Sequence, residues 1–246
     1  MTRSTALLAG ALLVLSACGG DDGRVELQVY AASSLTKAFD TLETSYEDGN
    51  PGVDVVLTYD ASSTLAAQVI ENAPVDVLAT ADETTMATVV DGGLVDGDPE
   101  VFATNTLVVV TPADNPAEIE SLEDLDGTDF AVCAAPVPCG DATLRLFGRN
   151  DFTGTPISEE DNVNAVLEKV TSGTVDAGLV YVSDAQTAGE DVSVVEVDGA
   201  EEIVNADPIA VINTTENADE ARAWVDLVVS EEGQRVLDDL GFGSPA

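Results

Sequence analysis

Hydrophobic and polar positions along this chain fall into blocks with two different periods. Residues 25–30 form an apolar run that is typical of a strand, and two serines, Ser33 and Ser34, follow it closely. From there apolar residues recur at helical spacing, at Leu35, Ala38, Phe39, Leu42 and Tyr46. The same order of strand, serine pair and helix recurs at residues 53–65, where Ser62 and Ser63 stand at the junction. Small hydroxyl residues therefore lie twice where a strand is followed by a helix.

The alternation of strands and helices continues to the C-terminus. The predicted strands are residues 25–30, 53–58, 75–79, 106–111, 130–133, 177–181, 192–197 and 208–213. The predicted helices are residues 35–46, 64–72, 83–91, 141–149, 159–172 and 219–240. Such alternation predicts an α/β fold of parallel sheets flanked by helices. The sequence shows no internal repeat.

Both serine pairs are predicted to lie at the edge where open parallel sheets bind their ligands, beyond the carboxyl ends of the strands. A helix N-terminus carries unpaired N–H groups and the positive end of the helix dipole, so it suits an anion. Two such sites in one chain favour an oxyanion receptor. The alternative is that these serines only cap their helices. Asp82, at a third position on this edge, is interpreted as a helix cap.

The first residues predict export. Arg3 precedes an apolar stretch at residues 6–15, which is too short to span a membrane and is typical of a secretory signal. Leu-Ser-Ala-Cys at residues 15–18 resembles the lipobox of bacterial lipoproteins. Residues 1–17 are thus predicted to be a signal peptide, Cys18 the lipid-modified N-terminus, and residues 18–23 a Gly-rich tether to the outer face of the cell membrane. An ordinary signal peptide with a chance cysteine is the alternative.

Cys133 and Cys139 are separated by six positions in an exported chain, which favours a local disulfide over two free thiols. The chain has no histidine, and these are the two cysteines outside the leader. A metal site with direct protein–metal bonds is therefore not expected, and no cofactor is predicted.

The formal charge is −39, from 47 acidic and 8 basic residues. Such a surface repels nucleic acid and anionic lipid. Hydrophobic residues still make up 45% of the chain, which is enough for packed cores and argues against disorder. A saline habitat, where the charge is screened within a few Å, and plain solubility are the two interpretations of this acidity.

Six segments, in order along the chain, resemble the molybdate-binding component of bacterial ABC importers, a type II periplasmic binding protein. The matching segments are Ala-Ala-Ser-Ser-Leu-Thr at 31–36, Ser-Ser-Thr-Leu-Ala at 62–66, Ala-Pro-Val-Asp-Val-Leu-Ala-Thr-Ala-Asp at 73–82, Asn-Thr-Leu-Val-Val-Val-Thr-Pro at 105–112, Ala-Gly-Leu-Val-Tyr-Val-Ser-Asp-Ala at 177–185 and Pro-Ile-Ala-Val-Ile at 208–212.

The resemblance implies two α/β lobes, each a mainly parallel sheet flanked by helices, with the ligand in the cleft between them. Lobe 1 would comprise residues 24–104 and 207–246, and lobe 2 residues 105–206. The hinge would lie near residues 103–105 and 205–208.

The resemblance also implies an oxyanion site of five residues: Ser34, Ser62, Cys139, Val163 and Tyr181. The serines would use hydroxyl and backbone N–H groups, Tyr181 its hydroxyl, and Cys139 and Val163 their backbone N–H groups. Because Pro136 and Pro138 have no N–H, the donors available in the loop around Cys139 are Val137, Cys139 and Gly140. Lys37, one turn into its helix, is expected to be solvated.

The implied function is a monomeric lipoprotein that captures molybdate, and tungstate with it, and delivers the anion to a permease and its ATPase. Neutral donors suffice for a tetrahedral dianion, and cavity size would select against smaller sulfate. The alternatives are a receptor for sulfate or phosphate, or an anion sensor. An exported enzyme is disfavoured because the sequence offers no nucleophile–base pair. A ferric-ion receptor is disfavoured because none of the four tyrosines are adjacent.

Overall fold

The computed structural model describes residues 23–245. The predicted signal peptide, Cys18 and most of the tether lie outside these residues. The strands are β1 (Val25–Ala32), β2 (Val53–Asp60), β3 (Val77–Ala79), β4 (Glu100–Asn105), β5 (Leu107–Pro112), β6 (Phe130–Cys133), β7 (Ser158–Glu160), β8 (Ala177–Tyr181), β9 (Val192–Val195) and β10 (Asn205–Val211). The helices are α1 (Thr36–Gly49), α2 (Ser62–Ile70), α3 (Glu83–Asp91), α4 (Pro138–Arg149), α5 (Val163–Thr171), α6 (Val182–Ala188), α7 (Ala218–Val229) and α8 (Glu231–Asp239).

The strands form two five-stranded sheets. The first has the order β2-β1-β3-β10-β4, and the second has the order β7-β6-β8-β5-β9. In the first sheet β1 runs parallel to β2 and β3, whereas β10 runs antiparallel to β3 and β4. In the second, β6 runs parallel to β7 and β8, whereas β5 runs antiparallel to β8 and β9. The predicted two-lobed α/β fold is confirmed, with the refinement that each sheet is mixed.

The antiparallel pairs arise where the chain passes between the two sheets. Strand β4 leads out of the first sheet into the second, and β10 leads back and inserts between β3 and β4. Asn105 and Asn205 lie opposite each other in this pair, and a bulge follows between Asp207 and Pro208. The predicted hinge segments are thus parts of two paired strands, and their role in lobe motion stays a prediction, as do the exact lobe boundaries.

The C-terminal helices return to the first sheet. The side chain of Gln234 on α8 donates to the carbonyl of Phe102 on β4, at 2.9 Å. Trp224 on α7 is fully buried and packs edge-on against Phe39 of α1, with ring centroids 5.5 Å apart. Burial of these aromatic side chains helps to hold the C-terminal helices against the first sheet.

Some elements differ from the sequence prediction. The predicted helix 219–240 is two helices, because Ser230 adopts an extended conformation (ψ 167°) and its hydroxyl accepts from the N–H of Gly233 to cap α8. The predicted helix 159–172 begins at Val163, and the residues before it form the short strand β7. No helix among residues 23–245 is both long enough and apolar enough to cross a membrane.

Candidate functional site

A small cavity lies between the two sheets, and each half of the molecule contributes six residues to its wall. The first sheet and its helices contribute Ala32, Ser33, Ser34, Ala61, Ser62 and Ala81. The second contributes Val137, Pro138, Cys139, Asn162, Val163 and Tyr181. All five residues predicted for the oxyanion site are in this wall. The structure therefore brings together residues that are separated by up to 147 positions in sequence (181 minus 34).

Four helical segments begin at this cavity. Ser33 and Ser34 open the short 3₁₀ turn that leads into α1, and Ser62 is the first residue of α2. On the opposite side α4 begins at Pro138 and α5 at Val163. Each start presents N–H groups with no partner inside the helix, together with the positive end of a helix dipole. The wall has no charged side chain, and Lys37 is exposed outside it.

The two serines differ in their hydrogen bonding. Ser62 is 1% exposed, and its hydroxyl oxygen accepts the backbone N–H of Ala81 at 2.9 Å. Its own hydrogen is therefore available to the cavity. The hydroxyl of Ser34 has no hydrogen-bond partner among residues 23–245, so its donor is also available.

The sequence suggested three backbone N–H donors in the loop before α4, those of Val137, Cys139 and Gly140, and one of them has no acceptor in the described chain. The N–H of Val137 donates to the carbonyl of Ala134 at 3.1 Å, and the N–H of Gly140 donates to the carbonyl of Val137 at 2.9 Å. The N–H of Cys139 has no such partner within the described chain. A disulfide joins Cys139 to Cys133, with the Cα atoms 5.7 Å apart.

Close packing shapes the same loop. A Cβ atom at Gly140 would lie 1.9 Å from the carbonyl oxygen of Ala134, so a side chain there would displace the backbone. The close approach of the backbone at Gly140 and the disulfide at Cys139 therefore both constrain the loop that carries the Cys139 N–H.

Val163 is the first residue of α5 and is buried. The side chain of Asn162 caps this helix by accepting from the N–H of Ala165 at 3.1 Å, and the N–H of Val163 has no partner in the described chain. The next residue, Asn164, donates from its side chain across the cleft to the carbonyl of Ser33 at 3.2 Å. This contact joins α5 to the turn before α1, so the two halves meet directly beside the cavity.

Tyr181 ends β8 and is 2% exposed. Its hydroxyl oxygen accepts from the side-chain nitrogen of Asn205 at 2.8 Å. Burial raises the pKa of Tyr181 well above its usual range, and the nearby Asp207 adds to this effect, so the hydroxyl keeps its proton. Asn205 was missed from the sequence as a residue of the site, because a lone asparagine in a strand pattern carries no local signal of such a contact.

Two aspartates are buried behind Tyr181. Burial raises the pKa of Asp184 to about 7, although its carboxylate accepts the backbone N–H of Tyr181 at 3.0 Å, which acts in the opposite direction. Burial also raises the pKa of Asp207 well above its usual range, and the nearby carboxyl groups of Asp184 and Asp82 add to this effect. Neither oxygen of Asp207 has a hydrogen-bond partner among residues 23–245. Asp82 accepts from the N–H of Thr85 at 2.8 Å, so its predicted role as a helix cap is confirmed.

The wall offers hydroxyl and backbone donors that converge from several directions, together with the positive ends of helix dipoles. Such a site can hold a compact anion without a counter-ion, because neutral donors to a charged ligand are strong where water is excluded. No group of three or more His, Cys, Asp or Glu side chains within residues 23–245 could hold a metal ion.

The chain is similar to known solute-binding proteins over most of its length. Residues 27–243 match the family described as "Bacterial extracellular solute-binding protein". The molybdate-binding protein ModA of Mycobacterium tuberculosis (strain ATCC 25618 / H37Rv) is 40% identical over 255 aligned residues, which cover 98% of each chain. ModA of Escherichia coli (strain K12) is 29% identical and covers 96% of each chain.

A similar fold is found among solved structures. The periplasmic molybdate-binding protein of Azotobacter vinelandii superposes with a TM-score of 0.79 at 17% identity, covering 89% of this chain and 100% of that chain. At this identity the likeness shows the fold alone. Together with the sequence relatives, it confirms the resemblance on which the two-lobed fold was predicted.

Proposed function

The chain belongs to the family of bacterial extracellular solute-binding proteins, and from that premise we propose that it captures molybdate and delivers it to an ABC importer. The observation that carries the proposal is the convergence of four helix starts and three available hydroxyls on one cavity without a charged side chain. This chemistry suits a tetrahedral dianion. The ligand itself is inferred from the relatives, of which those compared above are named molybdate-binding proteins.

Five residues would contact the anion. Ser34 and Ser62 would donate from their hydroxyls on one side of the cleft, and Tyr181 would donate from its hydroxyl on the other. Cys139 and Val163 would donate from their backbone N–H groups. The support for this assignment is that each donor lies at the cavity and has no acceptor for it within the described chain.

Selection among oxyanions would depend on size. Molybdate and tungstate have nearly the same dimensions, so tungstate is proposed as a second ligand, and molybdenum would be held through its oxygens without a direct bond to the protein. Sulfate is smaller and would leave some donors of a rigid cage beyond hydrogen-bond reach. The disulfide at Cys139 and the absence of space at Gly140 support such rigidity on one side of the cavity.

Location and partners follow from the same proposal. The protein would be a monomer held to the outer face of the membrane by lipid on Cys18, and it would release its anion to a permease driven by an ATPase. Labelling cells with radioactive palmitate tests the anchor, because the wild-type protein should take up label and a Cys18→Ala variant should not. Label on the variant would contradict lipidation at this residue.

Calorimetric titration of the full chain, purified in mild detergent, tests the ligand. We expect one-to-one binding of molybdate and tungstate, with much weaker binding of sulfate. Tight binding of sulfate or phosphate instead would keep the receptor and overturn the ligand. If molybdate binds but deleting the gene leaves the uptake of radioactive molybdate by the cells unchanged, the proposed role in import is contradicted and the sensor alternative is favoured.

A further inference from the structure

The orientation of the Asn205 side chain is fixed by its surroundings. One terminal atom of this amide lies 3.0 Å from the carbonyl oxygen of Ala81. A carbonyl can only accept a hydrogen bond, so this atom is the nitrogen of Asn205. The same nitrogen lies 2.8 Å from the hydroxyl oxygen of Tyr181. Because an amide nitrogen only donates, the Tyr181 oxygen accepts, and the amide uses one hydrogen for each partner.

This bond determines what the Tyr181 hydroxyl can do. With its oxygen accepting from Asn205, its hydrogen must point elsewhere, and it has no second partner among residues 23–245. In particular, the oxygens of the nearby Asp207 receive no hydrogen bond. Tyr181 lines the cavity, so its hydrogen is directed toward a ligand held there.

The backbone of Ala81 also contacts Ser62, through the N–H that precedes its Cα. The N–H of Ala81 donates to the Ser62 hydroxyl at 2.9 Å, which leaves the Ser62 hydrogen for the cavity. Ala81 is therefore held on both sides of its Cα, by Ser62 at its N–H and by Asn205 at its carbonyl, and Asn205 also contacts Tyr181. These contacts link a helix start of one half, the returning strand β10 and the last residue of β8 in the other half.

We propose that Asn205 is a positioning residue that orients the Tyr181 hydroxyl as a donor to the bound oxyanion and that, by holding the Ala81 backbone at its carbonyl, it helps to place the Ala81 N–H that orients Ser62. The inference rests on the proposed function, since it assumes an anion in the cavity. Asn205 is buried on the strand that connects the two halves, and it contacts residues 124 and 24 positions away. It thus ties the donors of both halves into one arrangement when the cleft is closed.

The chain provides a matched control at the facing position. Asn105 lies directly opposite Asn205 in the pair of β4 and β10 and is buried to a similar extent. Its amide donates to the hydroxyl of Ser183 at 2.7 Å, and neither Asn105 nor Ser183 is in the wall of the cavity. Asn105→Leu removes a buried amide of the same kind without removing a contact to a cavity residue.

A double-mutant cycle tests the proposal. Affinity is measured by calorimetry for the full chain, for Asn205→Leu, for Tyr181→Phe and for the double variant. We expect Asn205→Leu to weaken binding by about tenfold in the wild-type background and by about threefold or less beside Tyr181→Phe, because contacting residues that act through one another are not additive. Equal losses in both backgrounds, or an equal loss in Asn105→Leu, would overturn the proposal.

Asn205→Asp provides an isosteric second cycle. A carboxylate accepts where the amide donates, so it would take the hydrogen of Tyr181 away from the ligand. We expect a larger loss of affinity than in Asn205→Leu, and we expect this excess to shrink beside Tyr181→Phe, where only the charge repulsion between the carboxylate and the anion remains. An excess of the same size in both backgrounds would come from charge repulsion alone and would count against the proposal.

The wild-type titration comes first and separates this inference from the proposed function. If the wild type binds sulfate better than molybdate, the proposed ligand is wrong, and the cycles are measured with sulfate, for which the expectation is the same. If the wild type binds neither molybdate, tungstate, sulfate nor phosphate, the proposed function fails and this inference fails with it. Thermal unfolding of each variant without ligand verifies that the changes act on binding in a folded protein.

Discussion

Removal of the Ser62 hydroxyl should have two separate effects, whereas removal of the Ser34 hydroxyl should have one. Ser62 accepts from the buried N–H of Ala81, and its hydrogen is available to the ligand. Ser34 has no partner within the described chain and would contact only the ligand. Ser62→Ala is therefore expected to weaken anion binding and also to lower the free energy of unfolding. Ser34→Ala is expected to weaken anion binding alone.

The magnitudes follow from the contacts. A hydrogen bond to a charged group contributes about 1.5–3 kcal/mol, which corresponds to a loss of about 10- to 150-fold in affinity for either variant. Ser62→Ala also leaves the Ala81 N–H buried without an acceptor, at a cost of about 1–3 kcal/mol. For a protein of this length, each kcal/mol lowers the melting temperature by roughly 2–4 °C.

Calorimetry with molybdate measures the first effect, and thermal unfolding without ligand measures the second. Ser63→Ala is the matched control, because Ser63 is the next residue of α2 but is not in the wall of the cavity. It should leave affinity unchanged. Full affinity in both Ser34→Ala and Ser62→Ala would refute the assignment of the cavity as the binding site. A Ser62→Ala melting temperature equal to that of the wild type would refute the structural role of its hydroxyl.

Three further predictions follow from the surroundings of the cavity. Folding raises the pKa of Asp184 from 3.8 to about 7, so the folded protein binds an extra proton between these pH values. The free energy of unfolding should therefore fall by up to about 4 kcal/mol as the pH rises from 4 to 7. Asp184→Asn should flatten this pH profile in urea titrations, and an unchanged slope in the variant would contradict the prediction. The Cys133→Ser/Cys139→Ser double variant removes the disulfide but keeps the N–H at position 139. It should lose about 2 kcal/mol of stability and bind molybdate several-fold more weakly. Unchanged affinity would mean that the disulfide does not position this N–H. Phosphate carries a proton at neutral pH, and the wall of the cavity has no carboxylate that could accept a hydrogen bond from it. Ser62 and Tyr181 present donors to the ligand, not acceptors. Phosphate should therefore bind at least about 100-fold more weakly than molybdate in competition titrations.

Local signals explain which parts of the fold were predictable. The strands at residues 130–133 and 177–181 and the helix at residues 83–91 have the predicted bounds, because apolar runs and a capping aspartate mark them within a few residues. The short strands β4 and β7 and the helix α6 were not predicted. Strand β7 and helix α6 are short, with three and seven residues, whereas the antiparallel placement of β4 depends on pairing with β10, which is 100 residues away (205 minus 105). Pairing over such a distance leaves no periodic signal.

The candidate site shows the same division. The serines at the strand–helix junctions could be predicted to lie together, because helix starts at the carboxyl edge of a sheet have a known geometry. The family resemblance supplied Cys139, Val163 and Tyr181. Asn205 could not be found in this way, because its role depends on two contacts that only the closed fold creates.

A chain with a formal charge of −39 can hold an anion because none of its charged side chains within residues 23–245 lies in the wall of the cavity. Exposed carboxylates act through water, and physiological salt screens them beyond about 8 Å. The buried Asp207 would act at full strength on a ligand beside Tyr181, but desolvation raises its pKa and thereby favours the neutral acid. The positive ends of the four helix dipoles face the cavity among buried residues, where electrostatic interactions are stronger than at the surface. The field at the ligand is therefore set mainly by the groups of the wall and by the buried Asp184 and Asp207, both of which burial shifts toward the neutral acid. The acidity of the surface affects mainly the approach of the anion.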